Sequence, residues 1–187
     1  SPARGRAAHA GTRLVHAAVR AVVAAGEWPR TRAELARLPG LGPYTSAAVA
    51  AFCFGGDDPP VDGNVERVTA RVLGLELHLA SGPLRRAADA FARDLWRAHP
   101  GPEVFEAVME LGATVCTPAA PRCPECPLAP GCQALRRGTP GLFPRPRPQR
   151  ATEDRRWVCL WLPRDDGRVL LCRVADGTLL GGLWLPP

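Results

Sequence analysis

Four of the seven cysteines of this 187-residue chain fall in one short run, Cys116, Cys123, Cys126 and Cys132, a C-x6-C-x2-C-x5-C pattern threaded with Pro118, Pro121, Pro124, Pro127 and Pro130. Four thiolates in one loop can surround a metal centre, and the prolines reduce the entropy lost in ordering it. The spacing is neither the C-x2-C-x2-C-x3-C of bacterial ferredoxins nor the paired C-x2-C knuckles of zinc ribbons. It favours a [4Fe–4S] cluster; four-cysteine zinc and unligated thiols are the alternatives. Cys53, Cys159 and Cys172 lie in apolar stretches and read as small buried hydrophobes.

The residues before this run carry helical signals. Leu14, Val15, Ala18, Val19, Val22 and Val23 recur at helical spacing and Gly26 ends the pattern. Thr31 followed by Glu34 is a capping box opening a short helix to about Leu38. A Gly-containing turn, Pro39-Gly40-Leu41-Gly42-Pro43, leads to a small-residue helix over about 44–54. Val61-Asp62-Gly63-Asn64 opens a helix through about Leu73, with Asn64 as its expected N-cap. Two further helices are predicted over 83–98 and 102–113. The fold class expected is therefore mainly α.

Beyond the cysteines, prolines at 140, 144, 146 and 148 alternate with arginines, which predicts an extended, solvated linker. After it, 157–162 and 168–173 flank an Asp-Gly turn, a β-hairpin signal. These signals divide the chain into a helical domain (1–115), a cysteine loop (116–137), a linker (138–156) and the start of a β-containing domain (157–187). Both ends read as cut. No secretory signal and no apolar run of about 20 residues is present, so the expectation is a cytoplasmic monomer with reduced cysteines and no membrane span.

A net charge of +6 suits a polyanionic partner. All 24 basic residues are arginine, so no side chain can form a lysine Schiff base. In the turn, Gly40 and Gly42 permit close backbone approach, and the amides at the start of the next helix, which includes Thr45, point toward an anion such as a DNA phosphate. Such a contact positions a duplex without reading its sequence. Arg122, between the cysteines, is a candidate phosphate grip, and Arg136 and Arg137 follow it.

Taken together, three stretches resemble adenine DNA glycosylases of the helix-hairpin-helix, iron–sulfur superfamily: Leu38-Pro39-Gly40-Leu41-Gly42-Pro43-Tyr44-Thr45, Val61-Asp62-Gly63-Asn64-Val65-Glu66-Arg67-Val68, and Phe105 to Ala113 leading into the cysteines. The resemblance covers about 30–137, and Gly181-Gly182-Leu183-Trp184 resembles the opening of the family's Nudix-like C-terminal domain. It implies a helix-hairpin-helix fold and a [4Fe–4S] cluster on Cys116, Cys123, Cys126 and Cys132. The implied activity is excision of adenine mispaired with 8-oxoguanine or guanine in double-stranded DNA.

The same resemblance assigns individual roles. Asp62 is the implied catalytic carboxylate and Asn64 helps orient it by hydrogen bonding. Tyr44 stands where lyase-type relatives carry the Schiff-base lysine, which implies hydrolysis by water. It also implies a general-acid glutamate on an earlier helix; Glu27 and Glu34 lie in the wrong context, so this chain is expected to be an incomplete product that binds DNA weakly and cuts nothing alone. Thymine-mismatch glycosylases of the same superfamily, a non-catalytic iron–sulfur DNA-binding or redox-sensing module, and an electron carrier are the competing readings.

Overall fold

A computed structural model of the chain describes residues 2–148, 156, 158–175 and 180–187, with backbone alone over 2–11. The chain divides after Pro148 into two compact units.

The first unit is helical, and its helices start and stop where cap chemistry dictates. α1 (Pro2–Ala25) ends at Gly26, which takes a left-handed φ of 76°. It buries Ala18 and Val22, whereas Leu14, Val15, Val19 and Val23 are exposed. The apolar face expected from sequence is thus covered along one narrow stripe, since no described element packs over its Val15–Val23 side. α2 (Arg32–Leu35) is fixed by the capping box: Glu34 N–H donates to Thr31 Oγ1 at 3.3 Å, and Thr31 N–H donates back to Glu34 Oε2 at 3.1 Å. The Thr31 and Arg30 amides, both donating to Oε2, pull the Glu34 carboxyl below its usual range. α3 (Pro43–Phe54) begins at Gly42 with Pro43 in the first turn, where its missing N–H costs nothing.

α4 (Gly63–Leu73) is the central helix, packed against α5 (Gly82–Ala98), α6 (Pro102–Thr114) and the short α7 (Gln133–Arg136). Its N-cap is Asp62, not Asn64: the aspartate lies in extended backbone and Asn64 already sits in the first turn. Every residue from Val65 to Arg71 is buried, including Glu66, Arg67 and Arg71. Val65 and Val68 pack with Ala88 and Val108, and Cys116 and Leu128 of the cysteine loop join that cluster. A second cluster joins Ala70 and Leu84 to Cys132, Ala134 and Phe143. The loop is therefore part of the core, folded through 3₁₀ turns at Cys123–Glu125 and Ala129–Gly131.

The Pro/Arg-rich segment departs from the expected solvated linker up to Pro148. Pro140–Leu142 is a 3₁₀ turn and Phe143 is only 5 % exposed. Arg145 N–H donates to Leu77 O and Arg145 O accepts from Leu79 N–H, both at 2.9 Å, a parallel bridge beside His78. The reason is Phe143, the one aromatic side chain in 138–156, which finds a place among Ala70, Leu84 and Ala134. Residues 149–155 lie outside those described.

The second unit shows pairing around the Asp-Gly turn: Leu170 N–H donates to Leu162 O at 3.1 Å and Arg164 N–H to Arg168 O at 2.8 Å, beside a Pro163–Val169 bridge. Its strands are β1 (Cys172–Arg173) and β2 (Trp184–Leu185), antiparallel, with Cys172 opposite Leu185. Trp157, expected to begin the hairpin, lies outside the described residues. Cys159 and Cys172 are exposed here, as is Cys53 on α3, so none is the buried hydrophobe that its apolar context suggested. Cys53 faces away from the buried side of α3.

Candidate functional site

The site is built from the start of α4 outward. The carboxylate of Asp62 accepts from Asn64 N–H and Val65 N–H at Oδ1, 2.9 Å each, and from Asn64 Nδ2 at Oδ2, 2.9 Å. Both oxygens are thus held, half-buried, at the positive end of a helix that favours negative charge. Asn64 is oriented in turn, because its Oδ1 accepts from Arg67 Nη2 at 2.8 Å.

Arg67 extends the arrangement to the cysteines. Nη2 also donates to Gly112 O at 2.7 Å, Nε to Cys116 O at 2.8 Å and Nη1 to Gly63 O at 3.4 Å. Burial, then the neighbouring Arg71, lower its pKa from the usual arginine value, while Asp62 acts against that. One turn on, Arg71 Nη1 donates to Thr117 O (2.7 Å), Cys116 O (3.1 Å) and Cys116 Sγ (3.3 Å), and Nη2 to Pro118 O (3.0 Å). Its Nε reaches Pro140 O at 2.8 Å and Phe143 O at 3.0 Å. A fork of five fixed donors suits this role, which the compact ammonium of lysine could not fill.

Arg67, Arg71 and Gly112 were not among the sequence candidates. Their only signals are an i, i+4 arginine pair just after the aspartate and a glycine inside a helix, which usually has a packing reason. That reason is visible: a Cβ on Gly112 would lie 2.6 Å from Asn64 Cβ. Gly112→Ala is accordingly expected to push α6 from the start of α4 and lower stability by about 1–3 kcal/mol, read by thermal unfolding. An unchanged Tm would mean that the two helices have slack there.

Tyr44, half exposed at the start of α3, donates to Met109 Sδ at 3.6 Å. Met109 and Gly112 are three residues apart on α6 and share a face. Tyr44 and the Asp62–Asn64 cap therefore meet neighbouring turns of one helix. In the turn before Tyr44 the two glycines differ. Gly40 has a φ of 80° and a Cβ there would strike Leu14 Cβ at 2.6 Å, so the fold itself demands glycine. Gly42 has an ordinary φ of −74° and open space where a Cβ would stand, so nothing inside the molecule requires it. Thr45 is exposed beside it.

All four cysteines of the run line one cavity, together with Val68, Arg71, Val72, Leu111, Leu128 and Leu135. Burial, then the other three cysteines, raise the Cys123 thiol above its usual pKa. Cys132 donates to Arg71 O at 3.4 Å. The donors fit a sulfur-ligated centre: no carboxylate or histidine lines the cavity, and Arg71 brings a cation to balance thiolate charge. Among the described residues, no three His, Cys, Asp or Glu side chains gather closely enough to hold a single metal ion. Arg122 is tied locally, by Glu125 at 3.1 Å and by Thr114 O at 2.7 Å, rather than projecting as a bare cation. Arg136 is exposed, and Arg137 lies over the Phe143 ring at 5.8 Å.

The fold resembles that of DNA glycosylases. A thermostable thymine-DNA glycosylase superimposes with a TM-score of 0.55 at 29 % identity, covering 67 % of this chain and 58 % of that one. A non-covalent endonuclease III–DNA complex gives 0.53 at 26 % identity with the same coverage. In sequence, the chain is similar to adenine DNA glycosylases: the Homo sapiens enzyme is 40 % identical over 114 residues, 60 % of this chain and 21 % of that one. The chain spans between about a fifth and about a third of the length of the curated relatives it matches. No family profile matches it. No helix among the described residues is long and apolar enough to cross a membrane.

Proposed function

We propose that this chain is part of a base-excision DNA glycosylase that hydrolyses the N-glycosidic bond of adenine mispaired with 8-oxoguanine or guanine. The observation that carries this reading is the Asp62 carboxylate, fixed at both oxygens, in a chain 40 % identical to an adenine DNA glycosylase. Breaking that bond develops positive charge on the sugar, and a preorganised anion stabilises it without reorganising during the reaction. Tyr44 has no amine to attack the sugar, so water is the nucleophile and the enzyme is monofunctional. Protonation of the departing base falls to a glutamate outside this segment.

The turn at Gly40–Thr45 grips a phosphate of double-stranded DNA. The open space at Gly42 supports this, since it lets a backbone come close to the amides that start α3. Arg122, whose guanidinium is braced by Glu125, adds a second contact from the cysteine loop. Cys116, Cys123, Cys126 and Cys132 hold a [4Fe–4S] cluster. Four cysteines on one cavity that neither carboxylate nor histidine lines support an all-sulfur ligand set. When bound, the cluster supplies a cross-link between the loop and α4. The short β unit opens a Nudix-like domain that meets the oxidised base, and the enzyme works as a cytoplasmic monomer.

The test is a glycosylase assay on the longest polypeptide the gene produces, with adenine:8-oxoguanine, adenine:guanine and thymine:guanine duplexes. Free adenine from the first two is expected. Release of thymine alone would transfer the chain to the mismatch branch that the thymine-DNA glycosylase neighbour represents, and release of no base would remove the enzymatic reading.

A further inference from the structure

Residues 139–146 run beside the cysteine cavity, reach it at Pro140 and are held there at several points. Pro140 lines the cavity itself. Phe143 is buried among Ala70, Leu84, Cys132 and Ala134, beside the fourth cysteine of the run. The Arg145 backbone pairs with Leu77 and Leu79, its side chain pairs with Glu76, and His78 Nδ1 meets Pro146 O at 2.7 Å. Arg71 joins this segment to the metal-binding side, since one edge of its guanidinium holds Pro140 O and Phe143 O while the others hold Cys116 and the residues after it. The segment sits beyond the last cysteine in sequence, yet its Pro140 forms part of the wall of the space that the cysteines share.

We propose that 139–146 is a strap over the cluster, and that its release, rather than movement of the cysteine loop, sets how fast small reagents in solution reach the iron. This rests on the cluster reading above. The strap is suited to local opening: apart from Phe143 and the two carbonyls that Arg71 holds, it is fastened by hydrogen bonds and an exposed ion pair, each worth little alone. Segments anchored this way open well below the cost of global unfolding.

The test uses the full chain loaded with iron and sulfide, with excess EDTA as the reagent and loss of visible absorbance as the readout. Arg145→Pro deletes the amide that donates to Leu77 O without touching a core side chain. It is expected to accelerate cluster loss roughly tenfold, with a much shallower urea dependence than global unfolding and an unchanged helical signal. Glu125→Gln, which frees Arg122 on the outer side of the loop, is expected to leave the rate as in the parent. Equal rates for Arg145→Pro and parent, equal acceleration by Glu125→Gln, or a urea dependence matching global unfolding would each overturn the strap while leaving the cluster in place. A parent chain that takes up no iron would overturn the cluster reading and this inference with it.

Discussion

Asp62→Asn is expected to lower excision of adenine opposite 8-oxoguanine by roughly a hundred- to a thousandfold while leaving the fold and mismatch binding nearly intact. The size follows from removing a preorganised charge beside a developing cation, where one donor or charge is commonly worth 10²–10³ in rate. Survival of the fold follows from the cap. Asparagine is as good an N-cap as aspartate, and its Oδ1 can still accept from the Asn64 and Val65 amides. Single-turnover kinetics with duplex binding measured in parallel separates the two effects. Turnover within a few fold of the parent would take Asp62 out of its assigned role, and loss of binding together with turnover would mean that it serves structure alone.

The second large effect is expected at the cysteines. Cys126→Ser should abolish the cluster and much of the fold with it, by about 4–5 kcal/mol or more, a fall in Tm on the order of 10–20 °C. The reason lies in where the loop sits: Cys116 and Leu128 pack around Val65, Val68, Ala88 and Val108, and Cys132 belongs to the cluster that holds Ala70 and Leu84. Freeing the loop uncovers both sides of α4 and takes the carbonyls of Cys116, Thr117 and Pro118 from Arg67 and Arg71, and a buried cation that loses partners is costly. Iron content, visible absorbance and thermal unfolding of parent and variant provide the check. A colourless parent as stable and active as any coloured preparation would contradict the cluster, and a variant keeping both iron and stability would remove Cys126 from the ligand set.

Sequence made the ends of elements legible wherever chemistry is local. Thr31 with Glu34 and the glycine turn before α3 depend on neighbours a few residues away, and each lies where it was expected, while the four cysteines of the run line one cavity. The cap of α4 was misplaced by two residues because Asp62 and Asn64 are both good caps and only the backbone conformation distinguishes them. The charged residues of α4 were the least legible. Glu66, Arg67 and Arg71 look like a solvated face, yet they are buried because their partners come from 14 to 72 residues away in the chain. The Pro/Arg stretch misled for a similar reason: its composition suits a linker, and one phenylalanine changes its fate as far as Pro148.

Leu14 carries a practical limit. Because its side chain fills the place beneath Gly40, the turn before α3 rests on the first helix even though most of that helix's described apolar side lies bare. Removing this leucine should therefore be abruptly damaging, since the bend would lose the floor that keeps Gly40 in shape.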